Sequence, residues 1–373
     1  MNDGSVQTLE YPWGTRQAPG SVIVIEPGVL WIRLAMPMAL DHINLYALED
    51  DEGWWIFDTG LRLDATRATW EHVESAYFGG KPVIGMICSH CHPDHVGMAG
   101  WMSQRWQVPM WMTHGEYHMA LTFSRGGGEG PLWEAEEFYQ RAGMDDDFLE
   151  RFRNRTRSFA GLVEPMPRAF HRVREGDTFR IAGSRWEAVI GEGHSPEHLC
   201  LLNRERKLLL AGDQVIPMIT PNVSVLALEP EANPLRDFLG STRRLLALPD
   251  ELLVLPAHNT PFRGLHRRLH QLIAHHENHL AALEEACVVP STAVELLPAL
   301  FHRPLDTEQV GLALGECIAH LHLLLVRGRL EREIDARGLY RYHTLDPGVA
   351  VRPKTGYRAR DDDPVMGIGG EPI

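Results

Sequence analysis

Short, almost continuous apolar runs alternate with mixed segments over the first two thirds of this sequence. Runs of this length without polar alternation are typical of strands buried on both faces. A helix is predicted at 64–78, between two of the runs, and this succession indicates helices layered on sheets in an α/β fold. The predicted strands lie at 22–48 (split by turns), 54–60, 82–90, 109–113, 178–191, 198–203, 207–213 and 251–258.

Residues 115–165 interrupt the strand series. A glycine-rich stretch is followed by charged, helix-favouring sequence in which apolar side chains recur at near-helical spacing, namely Phe148, Leu149, Phe152 and Phe159. We expect a helical insert between two strands. Its position suggests a lid or a wall of the substrate pocket.

The pattern changes again after residue 265. Helices are predicted at 266–286, at about 292–301 and from Asp306 to Val326, and two short runs that could pair as a hairpin follow them. Three helices and a hairpin are the outline of a small winged-helix domain. We therefore expect a catalytic domain at 1–265, a winged-helix-like domain at 266–346 and, because 347–373 is rich in Gly, Pro and Asp, a flexible tail.

Charge and cysteine content limit the partners. The 373 residues include 36 Lys+Arg and 50 Asp+Glu, a formal charge of −14, which disfavours a general nucleic-acid binder. Five scattered cysteines suit free thiols in a reducing cytoplasm. The chain has no apolar run of about 18 residues and no signal-like start, so we expect a cytoplasmic protein without a membrane partner.

The residues most suited to metal binding begin at the end of the strand predicted at 82–90. The string Ser89-His90-Cys91-His92-Pro93-Asp94-His95 offers four potential metal ligands within six residues. His90 and His92, two residues apart, can point to the same side, while Asp94 and His95 can face a second centre one turn further on. Mixed His and carboxylate sets of this kind suit Zn²⁺, Mn²⁺ or Fe.

Three further candidates each follow a predicted strand, so all could converge on one edge of a sheet. They are His194, Asp213 and His258. We predict that His90, His92 and His194 hold one metal ion. Asp94, His95 and His258 would hold a second, with Asp213 as a bridge between the two.

This constellation resembles the metallo-β-lactamase superfamily, with its H-x-H-x-D-H loop, a later G-H-S, a G-D and a final H after a strand. The resemblance covers roughly residues 20–265 and implies an αββα sandwich of two mixed sheets. It also implies two divalent cations, with a metal-bridging hydroxide as nucleophile and with Asp94 as the catalytic residue that orients the hydroxide or takes its proton. Asp58 matches the family's D-T-G, where the aspartate supports the metal loop without ligating.

The C-terminal part resembles the winged-helix extension of the branch that contains the β-lactamase-like protein 2 hydrolases, which are similar to hydroxyacylglutathione hydrolases. Differences between this sequence and other branches of the superfamily reduce the number of reactions that we expect. True β-lactamases of this fold generally carry Cys, Ser or His where Asp213 stands, and the diiron reductases carry Glu where His92 stands. The expectation is hydrolysis of an ester, thioester or lactone-type bond in a small-molecule substrate.

Two alternatives stay open. The first is a metal-dependent endoribonuclease or phosphodiesterase, although residues 266–345 hold eight Arg against ten Asp+Glu, a poor balance for binding nucleic acid. The second is a non-enzymatic sensor in which the metal site binds a ligand. Zn²⁺ is the default metal, with Fe or Mn as options, and a homodimer is one option for assembly.

Several other histidines have a plainer interpretation. The predicted helix at 266–286 contains two pairs of histidines four residues apart, 266 with 270 and 275 with 279, and such pairs could bind metal. A solvated helix face is the favoured interpretation. The five histidines of this helix are His266, His270, His275, His276 and His279. The same interpretation applies to His198, His320 and His322. Cys88 and Cys91 form a C-x-x-C that we interpret as packing residues.

Overall fold

A computed structural model describes residues 8–15, 17–38, 40–125, 133–153, 159–346 and 348. The glycine-rich stretch at 126–130 and nearly all of the predicted tail at 347–373 lie outside the described residues. The predicted strands form two larger sheets and one hairpin.

The first sheet has seven strands in sequential order, β1 to β7. The pairs from β1 to β4 are antiparallel and those from β4 to β7 are parallel, so the sheet is mixed. The strands are β1 (Val22–Glu26), β2 (Val29–Ala35), β3 (His42–Glu49), β4 (Trp54–Phe57), β5 (Val83–Ile87), β6 (Met110–Met112) and β7 (His171–Arg172).

The second sheet has five strands in the order β12-β11-β10-β9-β8. Only the pair β11–β12 is parallel, so this sheet is mixed as well. Its strands are β8 (Thr178–Ile181), β9 (Ser184–Gly191), β10 (His198–Asn203), β11 (Leu208–Gly212) and β12 (Leu253–Pro256); the hairpin consists of β13 (Leu330–Ile334) and β14 (Tyr340–Thr344).

Helices connect and cover these sheets. In chain order the α-helices are α1 (Asp64–Tyr77), α2 (Pro93–Val96), α3 (Ala99–Trp106), α4 (His114–Ser124), α5 (Trp133–Arg141), α6 (Asp146–Arg153), α7 (Pro234–Leu245), α8 (Leu265–Ala286), α9 (Ala293–Leu300) and α10 (Thr307–Val326), with a 3₁₀ turn at Phe159–Gly161.

The two sheets pack face to face through large apolar side chains. Trp31, Tyr46 and Phe57 of the first sheet contact the same buried cluster as Trp186 and Leu210 of the second. Successive strand residues point to opposite faces, and the alternate positions are buried in the outer layers instead. In β11, for example, Leu208 and Leu210 lie between the sheets, whereas Leu209 and Ala211 face the helices.

Helices close both outer faces. Side chains of α1, α3 and α4 share a buried cluster with the first sheet, and side chains of α7 to α10 share one with the second. The order of layers is therefore helix, sheet, sheet, helix, which confirms the predicted αββα sandwich with two mixed sheets. Burial of both strand faces explains why these strands appear in the sequence as continuous apolar runs.

The insert contains helices in its described part. Helices α4, α5 and α6 lie between β6 and β7, as the sequence predicted for an insert between two strands. The second half of the insert packs on the C-terminal elements, because Val294 N donates to Ala142 O (3.1 Å) and Arg141 Nη1 donates to the Tyr340 hydroxyl (2.7 Å). Whether the insert moves as a lid stays a prediction.

Helices α8 to α10 and the hairpin β13–β14 occur in the order that the sequence indicated. They share one buried cluster with the outer face of the second sheet. The stretch Gln309–Val326 of α10 is long and apolar enough to cross a membrane by length and composition, but 67% of it is buried inside the molecule, as in the core helix of a globular protein.

Candidate metal centre

The predicted ligand residues stand at the ends of strands, at one edge of the two packed sheets. His90 follows β5, His194 follows β9, Asp213 comes directly after β11, and His258 follows β12. Pro93 opens the short helix α2 at a position where its missing N–H is not needed. The first turn of α2 then presents Asp94 and His95.

The first predicted group is brought together. His90 Nε2 lies 2.8 Å from His92 Nδ1 and 3.3 Å from His194 Nε2. A carboxylate oxygen completes the group, because Asp213 Oδ2 lies 3.4 Å from His194 Nε2 and 3.9 Å from His90 Nε2. These four side chains could hold one metal ion.

The second predicted group lies on the other side of Asp213. Asp94 Oδ2 is 3.4 Å from His258 Nε2 and 3.7 Å from His95 Nε2, and the three residues could hold a second ion. Asp213 Oδ1 lies 3.3 Å from His258 Nε2, and its Oδ2 lies 3.5 Å from His95 Nε2. The Asp213 carboxylate therefore stands between the two groups, as a bridge must.

The outward-facing ring nitrogens are held by hydrogen bonds. Nδ1 of His194 is 2.8 Å from Asn222 O, Nδ1 of His258 is 2.9 Å from His42 O, and Nδ1 of His95 is 2.8 Å from Asp58 Oδ2. Because these oxygens can only accept, each Nδ1 donates a proton to its partner and each Nε2 faces the centre. Outer partners of this type fix the orientation of metal-binding histidines.

Asp58 supports the loop at 90–95 without belonging to either group. It follows β4 in the left-handed region, with φ at 63°. Its Oδ1 accepts from Ser89 N (2.7 Å), and its Oδ2 accepts from Ser89 Oγ (2.8 Å) as well as from the His95 ring. The next residue, Thr59, donates its hydroxyl and its amide to His95 O, both at 2.8 Å.

Sequence reasoning missed Glu116, the third residue after the Thr113 cap of α4. Its buried carboxylate accepts from Cys91 N (2.8 Å) and Glu197 N (2.7 Å), and so it joins the loop at 90–95 to the loop that carries His194. Burial raises its pKa. The sequence holds no local signal for this role, because both partners are backbone amides distant in the chain.

His198 was predicted to lie on a solvated face, and this is wrong. It is fully buried at the start of β10, and its Nε2 accepts from Asp213 N (3.0 Å), so it helps to position the bridging carboxylate. Its ring also explains the neighbouring glycine. A Cβ on Gly212, whose φ is +49°, would lie 2.6 Å from His198 Cε1.

Burial and charge set the protonation states at the site. Burial, together with the neighbouring histidines, lowers the pKa of His90 well below its ordinary value, and burial beside His194 lowers that of His92 to about 3. Against burial, His258 and His95 hold the pKa of Asp213 low. Against the same burial, Asp94 and Asp213 in turn raise the pKa of His258 to about 9 and that of His95 well above its ordinary value, so both rings carry a proton that a metal ion would displace.

The residues present fit two divalent cations. His95 Nε2 and Asp213 Oδ1 are buried and have no hydrogen-bond partner among the described residues. Buried polar atoms without a partner are costly, and a cation would satisfy both. Five imidazoles and two carboxylates form a donor set suited to Zn²⁺, Fe or Mn rather than to Ca²⁺ or Mg²⁺.

The cysteines near the site take no part in it. Cys88 and Cys91 are buried, and burial raises the pKa of both thiols well above the ordinary value. They pack with the outer layer of the first sheet, as predicted. Reactive cysteines have low pKa values and some exposure, and neither property holds here.

Comparison with known proteins agrees with this geometry. Residues 39–258 match the family model of the metallo-beta-lactamase superfamily, and residues 280–345 match that of the metallo-beta-lactamase-like C-terminal domain. The first match extends over more than half of the chain and contains all seven candidate ligands.

Three similar proteins illustrate the relationship, and the name of one of them states an activity. The chain is 40% identical to a beta-lactamase domain protein from Burkholderia ambifaria, over 90% of this chain and 98% of that one (TM-score 0.84). It is 28% identical to a metallo-beta-lactamase family protein from Thermus thermophilus, over 86% and 100% (TM-score 0.73). It is 24% identical to acyl-coenzyme A thioesterase MBLAC2 of Gallus gallus, over 67% and 83%. The chain belongs to the metallo-beta-lactamase superfamily and is a metal-dependent hydrolase.

Proposed function

We propose that this chain is a binuclear hydrolase that cleaves an ester, thioester or lactone-type bond, with an acyl thioester as the preferred substrate. One observation carries the proposal: two groups of metal-binding side chains meet at one edge of the sandwich with the Asp213 carboxylate between them. The similarity to an acyl-coenzyme A thioesterase over most of the length of that protein supports the choice of thioester.

Two divalent cations held by His90, His92 and His194 and by Asp94, His95 and His258, with Asp213 between them, would supply a water of pKa near ~7 and polarise the carbonyl oxygen. Zn²⁺ is the proposed metal because imidazole and carboxylate oxygen are its usual protein ligands. The remaining work falls to the protein's own side chains.

Asp94 is the proposed proton acceptor. Its side chain is 13% exposed, more than that of Asp213 at 3%, so it is the carboxylate of the centre that solvent reaches. Its Oδ2 lies 3.4 Å from His258 Nε2, and contact with the charged histidines keeps its pKa low, against burial. Asp94 can therefore take the proton of the attacking water and pass it to the leaving group.

The start of the insert walls the site. Gly115 N donates to Glu197 Oε2 (2.7 Å), and Thr113 Oγ1 donates to Glu197 O (2.8 Å), so the N-terminus of α4 is joined to the loop that carries His194. We propose that the insert shapes the acyl pocket. Thr113→Val, which removes the bond to Glu197 O, should then change kcat/KM unequally across acyl chain lengths, and a uniform effect would contradict this role.

We further propose that the C-terminal elements form a winged helix of the hydroxyacylglutathione hydrolase-like branch. The order of α8 to α10 and the hairpin, and the match of residues 280–345 to a C-terminal family domain, support this. All five cysteines are buried and free. Free thiols suit a reducing compartment, so we propose a cytoplasmic location. We also propose a small-molecule substrate and no membrane partner.

The test is a substrate panel with the full-length, Zn²⁺-loaded protein. It contains a long-chain acyl-coenzyme A, an aryl ester, an acyl lactone, a phosphodiester and a short single-stranded RNA. We expect the highest kcat/KM on the thioester and a fall of about 10²–10⁴-fold in Asp94→Asn, the range for loss of a proton-transfer group. Asp51→Asn, an exposed change far from the centre in sequence, is the matched control.

Two results would contradict the proposal. One is cleavage of the RNA or the phosphodiester at a higher kcat/KM than any acyl substrate, with a steep dependence on salt. The other is equal loss of activity in Asp94→Asn and Asp51→Asn.

A further inference from the structure

A second group of histidines lies among the C-terminal helices, and the hydrolytic centre does not use it. The helix α8 presents His275, His276 and His279, and α10 presents Glu316 and His320. We call these five residues the helical histidine cluster. Residues 275 and 279, like residues 316 and 320, are four apart, a spacing that places both members of a pair on one helix face.

The sequence pattern favoured a solvated face for these histidines, and for four histidines the structure shows that this is wrong. His276 and His320 are fully buried, His275 is 7% exposed, and His322 on the same helix as His320 is 6% exposed. Because α7, α9 and α10 all pack against α8, the face that appeared polar lies inside the molecule. His279 is half-buried and gives the cluster a side open to solvent.

The geometry of the cluster is that of a metal site. His275, His279 and Glu316 bring ligand atoms within 4.8 Å of one another, and so do His276, Glu316 and His320. Glu316 is common to both triads. His276 Nδ1 lies 3.1 Å from His320 Nε2, which matches the 3.3 Å between the inward nitrogens of His90 and His194 in the hydrolytic centre.

Hydrogen bonds within the protein satisfy this cluster only in part. His320 Nδ1 donates to Glu316 O (2.8 Å), and His320 Nε2 lies 3.1 Å from His276 Nδ1. His275 Nδ1, His276 Nε2 and His279 Nδ1 are buried atoms without a hydrogen-bond partner among the described residues. Three such atoms within one cluster are unusual, because buried polar groups are nearly always paired. Burial lowers the pKa of His275 to about 3 and that of His320 to about 4, and it raises the pKa of Glu316 to about 7.

We propose that the helical histidine cluster binds one divalent transition-metal ion of the Zn²⁺ type at the Glu316 carboxylate, as a structural site separate from the hydrolytic centre. Four imidazoles and one carboxylate favour such an ion over Ca²⁺ or Mg²⁺, which prefer oxygen. The partly open side at His279 gives the ion a route in from solvent.

The site also has a physical connection to the hydrolytic centre. Asn222 Nδ2 donates to Glu316 Oε2 (3.3 Å), while Asn222 O accepts from His194 Nδ1 (2.8 Å). The segment around Asn222 is held on α10 by two more bonds, from Ser224 Oγ to Leu312 O (3.2 Å) and from Val225 N to Gly315 O (3.0 Å). An ion at Glu316 would therefore fix the carbonyl that orients His194.

The test counts metal ions in the full-length protein. Wild type, His275→Gln/His279→Gln and the control His270→Gln are saturated with Zn²⁺, freed of excess metal by gel filtration and measured by mass spectrometry. His270 is an exposed residue of α8 that precedes His275 in the sequence. We expect the double variant to hold one ion per chain fewer than wild type and the control to hold the same number.

Two further variants remove ambiguity. Glu316→Gln keeps an oxygen that can accept from Asn222, so it should fold even where the double variant does not, and it should also lose one ion. His92→Ala weakens the hydrolytic centre alone, and in this background Zn²⁺ should still bind the cluster, with a dissociation constant that Glu316→Gln raises at least 100-fold.

The proposed structural metal site does not rest on the proposed hydrolase function. The metal counts test the site without any measurement of activity. Equal metal content in wild type, the double variant and Glu316→Gln would overturn it, whatever the activity. Loss of the same ion in His270→Gln would also overturn it, because the ion would then be bound by surface histidines.

Discussion

Substitution of Asp58 tests the claim that hydrogen bonds behind the metal loop set its affinity. In Asp58→Asn the side-chain oxygen can still accept from Ser89 N, but an NH₂ group replaces the oxygen that faces Ser89 Oγ and His95 Nδ1. The Ser89 hydroxyl can rotate away, so one charge-assisted hydrogen bond is lost, at about 1.5–3 kcal/mol. That loss corresponds to roughly 10- to 100-fold in metal affinity or activity.

The backbone at Asp58 lies in the left-handed region, with φ at 63°, so the choice of substitute decides whether backbone strain is added. Asn tolerates this region, whereas Ala costs about 1–2 kcal/mol of backbone strain there. Asp58→Asn should therefore lower the melting temperature less than Asp58→Ala, which adds this strain to the loss of all the side-chain hydrogen bonds.

The assay measures the Zn²⁺ dissociation constant by competition with a chelator, together with kcat/KM on an acyl thioester and the melting temperature. We expect weaker Zn²⁺ binding and lower kcat/KM in both variants, and a larger fall of the melting temperature in Asp58→Ala than in Asp58→Asn. Wild-type affinity for Zn²⁺ in Asp58→Asn would refute the reasoning.

Three other predictions follow from the structure. Glu116→Ala leaves the buried Cys91 amide and the partly buried Glu197 amide without an acceptor, so it should lower the free energy of unfolding, measured in urea, by about 1–3 kcal/mol for the first and by less for the second, with a milder effect in Glu116→Gln. Gly100→Ala places a Cβ 2.0 Å from Pro165 O and should destabilise the protein. Gly240→Ala, in a helix where the added Cβ meets nothing within 4 Å, should stabilise it by up to about 1 kcal/mol. Equal changes of the free energy of unfolding in the two variants would contradict this prediction. Chelation of the metal should abolish hydrolysis and, for each ion present at a thousand times its dissociation constant, remove about 4 kcal/mol of stability, and an unchanged melting temperature would speak against it.

The strands and the ligand loop were predictable because their signals are local. All five strands of the second sheet, from β8 to β12, lie within the runs found in the sequence. Strands β10 to β12 are buried at every position, whereas β8 and β9 alternate between exposed and more buried residues. The short strand β7 was missed. It has only two residues, His171 and Arg172, both exposed and polar, so it contains no apolar run. Its pairing with β6 includes a stacked contact between the His171 and Trp111 rings, with centroids 4.6 Å apart.

The residues that support the centre were less visible. Glu116, Asn222 and His42 act through hydrogen bonds to groups far away in the chain, and such bonds leave no spacing pattern. The buried histidines of α8 were misjudged for a related reason. Helical periodicity identifies one apolar face, but it does not reveal that a second, histidine-bearing face is covered by other helices.

The central claim is that seven side chains at the ends of β5, β9, β11 and β12 hold two metal ions on either side of Asp213. The most direct test is the anomalous difference map of a Zn²⁺-loaded crystal, recorded at the zinc absorption edge. The account predicts two peaks among these residues, roughly 3.5–4 Å apart, with Asp213 between them. A single peak there, or none while zinc is bound elsewhere in the molecule, would contradict it.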